Sequence, residues 1–485
     1  MNYRAVFNII GKVLCIVAAF LLPALILSLA LREQAAAIAF AVSVAACVAL
    51  GAPLASIKPK RTDIFAREGL VTVGLAWIFV SLLGALPFLL SGAIPNYLDC
   101  VFETVSGFTT TGATILSDVE HLPRGILYWR SFTHWLGGMG VLVFLLILNP
   151  LSDKNTGEGM HLLRAESPGI KASKLVPRMK DSATILYLIY IGLTVLEFVL
   201  LILGRMPLFD AVCLTFGTAG TGGFGVLNDS LASYSPYCQW VVTAFMLLFG
   251  VNFNVYFLLL MRKFGKAIRN EEVLVYVGIV AASIAIISIS ILRYYETVGE
   301  TVRAAAFQVA SIISTTGYST ADFDRWPQIA RTILVALMFC GACAGSTGGG
   351  AKVIRVLISF KAVRRSIYKT MHPNSVRIIH VDGERIDDAT VSAVGAYMLV
   401  YFIITAAAIL LVSLDGKTFE TSFTAVVACL NNIGPGLGGV GPMENYGAFT
   451  WLSKVVLTLS MLIGRLEIYP ILLLFTPSVW RKIHR

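Results

Sequence analysis

Four short stretches of the chain combine glycine with hydroxyl or amide side chains in a pattern suited to presenting oxygen to a bare cation. They read Thr109-Thr110-Thr111-Gly112-Ala113-Thr114, Ala219-Gly220-Thr221-Gly222-Gly223-Phe224-Gly225, Ser314-Thr315-Thr316-Gly317-Tyr318-Ser319-Thr320 and Asn431-Asn432-Ile433-Gly434-Pro435-Gly436. Glycine lets a backbone turn successive carbonyls toward one point in a conformation that a side chain disfavours. A ring of such carbonyls, with threonine hydroxyls beside it, offers a dehydrated monovalent cation the oxygen it has lost from water, and it repels anions. Little other chemistry competes. The one C-x-x-C pair, Cys340 and Cys343, lies in an apolar, Gly-rich stretch without the βαβ context of a redox motif, and small-residue packing accounts for it. None of the six His has zinc-ligand spacing. The long loops hold no His, Cys or carboxylate constellation of catalytic type, which argues against an enzyme or sensor built on this scaffold.

The elements that must position these turns follow from composition. Of the 485 residues 57% are hydrophobic and 14% charged, with a mean hydropathy of +0.79. This is the composition of a polytopic membrane protein embedded in a lipid bilayer, and it excludes most soluble enzymes. The formal charge of +10 therefore belongs to cytoplasmic loops and implies no nucleic-acid partner. Apolar runs near the ~20 residues needed to cross a bilayer occur at about 6 to 31, 35 to 56, 68 to 91, 128 to 149, 183 to 204, 238 to 261, 273 to 292, 328 to 343, 389 to 413 and 451 to 475. The first is too long for the apolar region of a signal peptide and is expected to stay as a helix. With the N-terminus inside, the segments 1 to 6, 57 to 67, 151 to 181, 262 to 272, 351 to 386 and 477 to 485 hold 26 of the 38 Lys and Arg. This asymmetry predicts that both termini are cytoplasmic.

A second kind of segment recurs between these runs. Residues 99 to 111, 210 to 222, about 304 to 316 and about 421 to 433 are apolar but too short to cross, as expected of helices that dip into the membrane and turn back. Each ends in one of the four turns, and the glycines Gly112, Gly223, Gly317 and Gly434 are 111, 94 and 117 residues apart. The chain thus reads as a repeated unit of span, half-helix, turn and span. In the second unit both Gly222 and Gly223 are candidates. Asp99 precedes Gly112 by 13 residues and Asp210 precedes Gly223 by the same number, which favours Gly223, while Glu300 and Glu420 hold this register less closely. Acids follow each turn on the outer side, at Asp118, Asp229, Asp322 with Asp324, and Glu444. They form either an acidic ring that concentrates cations or ordinary loop acids. Irregular backbone at membrane depth must be sheltered by protein or water. Four half-helices pointing their C-terminal ends at one axis meet that need.

The four units, their turns, the stretch Cys343-Ala344-Gly345-Ser346-Thr347-Gly348-Gly349-Gly350-Ala351-Lys352-Val353-Ile354-Arg355, and Gly464-Arg465-Leu466-Glu467 together resemble the Trk/Ktr/HKT superfamily of potassium transporters. With two additional N-terminal spans, the chain is most similar to the membrane subunits of bacterial Trk potassium uptake systems. The resemblance covers nearly the whole chain and implies an all-α inner-membrane protein, multi-pass and usually a homodimer, with a pseudo-fourfold pore. K+ would be the transported ion, with no organic cofactor and no enzymatic activity. The filter would comprise Thr110, Thr111, Gly112, Gly222, Gly223, Thr316, Gly317, Asn432, Ile433 and Gly434. It should pass K+ and Rb+ in preference to Na+ and Li+, less sharply than a potassium channel. The implied organisation is a two-helix extension over 1–66, pore units over 67–150, 182–262, 272–360 and 387–477, and an intramembrane gating loop at 340–350.

The gate implied by the family consists of Gly345, Ser346, Thr347, Gly348, Gly349, Gly350 and Arg465. The glycine run cannot remain a regular helix cheaply, and a small-residue packing patch is the plainer alternative. It lacks the strand and the Gly-Lys step of a nucleotide-binding loop. Arg465, deep in an apolar run, must face water or a partner such as Glu467, acting as a barrier below the filter or as a structural ion pair. Asn252 and Asn254 suit hydrogen bonding between helices. The eight Lys and Arg of residues 351 to 386 suit phospholipid headgroups. The resemblance adds the docking of a cytosolic nucleotide-binding ring of the TrkA type. An H+- or Na+-coupled K+ symporter is the rival reading; beyond Arg465 and Glu467, the sequence offers few deep ionisable residues to carry the coupling ion.

Overall fold

In the computed structural model, residues 2–58, 66–140 and 179–480 are described. The end of the run at 128 to 149, most of the cytoplasmic segment at 151 to 181 and the basic residues at 481 to 485 lie outside them. An N-terminal hairpin pairs α1 (Tyr3–Ala30) with α2 (Gln34–Ala55), two apolar helices joined by a turn with Arg32 at φ 59°. The turn's Glu33 carboxylate accepts from the backbone of Arg124 at 2.7 Å and Gly125 at 3.0 Å, satisfying amides at the start of a later helix and fixing the hairpin there.

The first unit runs through α3 (Ala66–Gly84), α4 (Leu86–Leu90), the half-helix α5 (Tyr97–Phe108) and α6 (Arg124–Met139). The second comprises α7 (Met179–Leu203), the half-helix α8 (Leu208–Gly220), α9 (Pro236–Phe249) and α10 (Phe253–Leu260), with α11 (Phe264–Ile268) after it. The third holds α12 (Glu271–Ile291), the half-helix α13 (Val298–Ile313), α14 (Gln328–Cys340) and α15 (Val353–Met371). The fourth holds α16 (Asp388–Val412), the half-helix α17 (Phe419–Leu430), α18 (Trp451–Arg465) and α19 (Tyr469–Leu474), before α20 (Pro477–Trp480).

Six of the described helices are long and apolar enough to cross a membrane, or seven if one bent pair is a single span. Apart from the run at 128 to 149, which is described only as far as residue 140, the difference from ten apolar runs lies in the second spans of the other three units. α9 turns by 91° into α10. α14 stops at Gly341, and α18 stops before Glu467 and Ile468 with φ of 54° and 71°. An interruption expected in the third unit alone therefore has counterparts in the second and fourth. Apolar composition does not reveal it, because a broken helix sheltered by protein is as apolar as a straight one.

The all-α reading has one small exception. Ile379–Val381 and Glu384–Ile386 form an antiparallel pair, β1 and β2, around Asp382 and Gly383, both at positive φ as a tight hairpin turn requires. Ile379, Val381 and Ile386 bury against Ile354 and Ile358 of α15, so the hairpin packs on that helix.

Candidate pore and gate

Each half-helix begins with an acid in its first turn: Asp99, Asp210, Glu300 and Glu420. The looser spacing at Glu300 has a simple cause. α13 has 16 residues where the others have 12, 13 and 12, which is one added turn.

All four half-helices end alike. The amides of Thr111, Gly222, Thr316 and Ile433 donate to the carbonyls of Ser106, Gly217, Ser311 and Ala428 at 2.7–2.9 Å. The amides of Thr110, Thr221, Thr315 and Asn432 donate to Gly107, Thr218, Ile312 and Cys429. This pair of bonds is the Schellman termination, which requires a left-handed residue just past the helix. Glycine normally occupies that place. Here it is Thr110, Thr221, Thr315 and Asn432, at φ 54–60°. Left-handed backbone costs a β-branched residue about 1 kcal/mol or more, a strain repeated at the three threonines, whereas Asn432 tolerates this conformation better.

Two residues later stand Gly112, Gly223, Gly317 and Gly434, at φ 76°, 84°, 86° and 94°. A side chain on each would collide with a backbone carbonyl of the next unit. From Gly112 the obstacle is Gly222 O, from Gly223 Thr316 O, from Gly317 Ile433 O, and from Gly434 Thr111 O at 2.7 Å. The sequence of contacts closes on itself, one to two, two to three, three to four and four to one. It also settles the geometric register of the second unit: Gly223 is the equivalent of Gly112, Gly317 and Gly434, and Gly222 is the equivalent of Thr111, Thr316 and Ile433.

All four of these glycines line one outer cavity, together with Arg130, Asn228, Glu444 and Tyr446. Thr110 Oγ1 and Asn432 Oδ1 are buried and have no hydrogen-bond partner in the protein. The hydroxyls of Thr111 and Thr316 instead bond Thr109 and Ser314 of their own turns, each at 2.7 Å. Asn432 Nδ2 donates to Thr111 Oγ1 at 3.0 Å, tying the fourth turn to the first. Tyr446 donates to Gly434 O at 2.6 Å, and Tyr318 to Leu214 O at 3.1 Å.

The acids that follow the turns have different local partners. Glu444 lines the cavity. Asp118 accepts from Asn228 Nδ2 at 3.0 Å and meets His121 at 2.5 Å, and these partners hold its carboxyl below the usual range. Asp322 pairs with Arg325, Asp324 with Arg331, and Asp229 accepts from Ser233.

Beneath the turns lies the loop between α14 and α15. Gly349 N donates to Thr315 Oγ1 at 2.7 Å, so the loop touches the left-handed residue of the third turn. A side chain at Gly349 would reach Asn431 O at 2.6 Å and Asn432 at 3.0 Å, and one at Gly348 would reach Ser314 O at 2.7 Å. Ser346 bonds Cys343 O at 2.6 Å, and Gly350 holds φ 80°. The loop is also anchored sideways. Cys343 N donates to Gly250 O, and Phe253 N donates to Gly345 O, both at 3.0 Å. Ala344 N donates to the Glu272 carboxylate at 2.6 Å. Asn252 Nδ2 approaches the other oxygen of Glu272 at 3.5 Å, and Asn252 Oδ1 accepts from Asn254 N. Asn252 thus links the bend between α9 and α10 to Glu272 of α12, a bond between helical elements that also reaches the loop's anchor.

Arg465 donates to Thr347 O at 2.7 Å, to Gly138 O at 2.8 Å and to Gly137 O. It spans from the loop to the end of α6. The ion-pair partner of Glu467 is Arg355, whose guanidinium also stacks on Tyr397 at 4.1 Å. Sequence reading missed the buried pair Glu103–Arg130 at 2.7 Å and the buried His134. Glu103 also accepts from Thr114 Oγ1 at 2.9 Å and Ile115 N at 3.0 Å, bracing the chain beyond the first turn. Charged residues inside an apolar membrane segment were the available signal.

Short helices that enter the membrane, stop, and pass their carbonyls into a closed ring define a polytopic ion-transport protein. The chain belongs to the TrkH family, described as cation transport protein, which it matches over residues 34–482. It is a transporter and not an enzyme. It is 35% identical to the Trk system potassium uptake protein TrkH of Salmonella typhimurium, across 99% of this chain and 100% of that one. It is 31% identical to the Trk system potassium uptake protein TrkG of Escherichia coli, across 99% of each. Its fold is similar to the crystal structure of the potassium transporter TrkH from Vibrio parahaemolyticus, with a TM-score of 0.87 and 31% identity over 99% of this chain and 100% of that one.

Proposed function

We propose that this protein passes K+ across the bacterial inner membrane through a pore centred on Gly112, Gly223, Gly317 and Gly434. The observation that carries this reading is the closed sequence in which each glycine meets the carbonyl of the neighbouring unit. Thr110, Thr111, Gly222, Thr316, Asn432 and Ile433 complete the filter with backbone oxygen, and Thr110 Oγ1 and Asn432 Oδ1 are buried in it without a hydrogen-bond partner. Carbonyl oxygens in such a ring favour a weakly hydrated cation that loses its water cheaply. The pore units take the boundaries 67–150, 182–262, 272–360 and 387–477, after an extension at 1–66, with both termini cytoplasmic.

The gate is the loop at Gly345, Ser346, Thr347, Gly348, Gly349 and Gly350, held by Arg465. A fixed guanidinium near the axis repels a cation, and the carbonyls it binds keep it there. Regulation comes from a cytosolic nucleotide-binding ring acting on the basic segment 351–386, and the working form is a homodimer. Similarity to Trk potassium uptake proteins over the full chain supports the choice of ion.

Rb+ tracer uptake into liposomes holding only this chain, driven by an outward K+ gradient, tests the reading. Uptake blocked by K+, blocked weakly by Na+ and indifferent to an imposed pH gradient is expected. Flux that follows H+ or Na+ would establish coupled symport instead. Flux appearing only with a cytosolic partner would localise control to the 351–386 segment.

A further inference from the structure

The second turn differs from the other three in having Gly222 where they have Thr111, Thr316 and Ile433. The space of the missing side chain is filled from another unit. The three atoms nearest a Cβ built on Gly222 all belong to the imidazole of His134, with Cδ2 at 2.6 Å. Gly222 itself has an ordinary φ, so its lack of a side chain answers the ring and no backbone requirement.

His134 is fully buried in α6. Its Nδ1 lies 2.8 Å from Gly107 O, at the end of the first half-helix. Its Nε2 lies 3.3 Å from the amide nitrogen of Phe224, immediately after Gly223. A carbonyl only accepts and a backbone amide only donates, so the partners specify the neutral ring with its proton on Nδ1. The ring also packs on Phe224 at 4.2 Å between centroids. One turn earlier on the same helix, Arg130 covers the Phe224 ring at 3.6 Å and donates to Gly225 O at 3.0 Å. The chain leaving the second turn is therefore held from the first unit at two points, one helical turn apart.

We propose that His134 is a specificity-determining positioning residue: it sets the position of the Gly222 and Gly223 carbonyls relative to the first turn, and thereby the preference of the pore among monovalent cations. The inference rests on the filter reading above. Small displacements of coordinating oxygen change which ion is best solvated while still permitting flux, so the effect belongs in selectivity more than in rate.

The test measures Rb+ uptake and its competition by Na+ for the full-length protein in liposomes, normalised to the protein incorporated. His134→Asn retains a donor near Gly107 O, loses the acceptor for Phe224 N and shrinks the ring. Gly222→Ala pushes on the intact ring from the opposite side. Each is expected to reduce the discrimination of Rb+ over Na+ roughly five-fold, the effect of one neutral hydrogen bond. In the double variant the smaller Asn should leave room for the methyl group, and the loss should fall short of the product of the two. An unchanged Rb+ to Na+ preference in whichever of the variants incorporates overturns the proposal, as does a double variant whose loss equals that product. Gly317→Val serves as control. If it abolishes uptake while His134→Asn leaves selectivity intact, His134 has only a structural role and the filter reading stands; if Gly317→Val transports normally, the filter reading fails and this inference with it.

Discussion

The guanidinium of Arg465, at the end of α18, donates to the carbonyl of Thr347, a residue 118 positions earlier, at 2.7 Å. Its other terminal nitrogen binds Gly138 O and Gly137 O, so one side chain spans from the loop below the turns to the first unit. Arg465→Ala removes both the positive charge and the loop's tether. Hydrogen bonds to charged groups contribute about 1.5–3 kcal/mol, so Rb+ flux through the unpartnered chain should rise about ten-fold. Unchanged flux would leave Arg465 a structural anchor.

The opposite side of the loop depends on Glu272, which accepts from Ala344 N and faces Asn252. Glu272→Ala deprives a loop amide of its acceptor while leaving Arg465 in place. Basal flux in liposomes should increase several-fold, given the ~1–3 kcal/mol cost of an orphaned buried amide. A flux equal to that of the parent protein would show that the loop's other bonds, to Gly250 and Phe253, are sufficient.

Substitution of Gly317 or Gly434 by Val should abolish K+-dependent growth rescue with normal amounts of protein in the membrane. Both glycines have left-handed φ, at 86° and 94°, where a β-branched residue is strained, and both meet a neighbouring carbonyl. Growth rescue at the parent level would separate these turns from ion passage.

Glu103 and Arg130 should matter for stability before transport. Removing one partner of a buried ion pair leaves the other charge unpaired, at a cost of about 3–5 kcal/mol. Glu103→Gln and Arg130→Met should each lower the thermal unfolding midpoint in detergent, and combining Glu103→Leu with Arg130→Met should be milder than either single charge removal. Equal midpoints for parent and single variants would mean that the pair contributes nothing net.

At the outer mouth, Asn228 and His121 hold the Asp118 carboxyl below its ordinary range. Its preference is for the ionised form, so its contribution is present above the unfolded carboxylate pKa near 4 and is lost as pH falls through the depressed folded value. Hydrogen exchange at Val119, whose amide donates to Asn228 at 2.8 Å, should therefore stay protected from about pH 8 to 5. Loss of protection near neutrality would place control of this contact in another group.

Much of the pore was legible in the sequence because its cause is local. A short apolar helix with an acid at its start and glycine three or four residues past its end reads the same wherever it occurs; Asp99 and Asp210, each 13 residues before its glycine, show the pattern directly, and Glu420 misses that register by one residue. The third unit blurs it because α13 is one turn longer, a change in length that leaves the helix ends intact. The breaks in the second spans were less legible. α9 and α10 form one apolar run, and only the fold reveals the 91° bend that brings Asn252 beside Glu272.

The sequence by itself determined the membrane class, the repeated unit, the turns and the unusual glycine run, because these depend on periodicity, chain length and the conformations each residue permits. Tertiary structure decided which oxygen faces which glycine, that Gly223 is the equivalent of Gly112, that Glu467 pairs with Arg355, and that Arg465 joins the loop's Thr347 carbonyl to the end of α6. It also brought His134 into the space above Gly222. The reason is physical: local conformation follows from neighbouring residues, whereas partners hundreds of positions apart meet only when the ring of four units has closed.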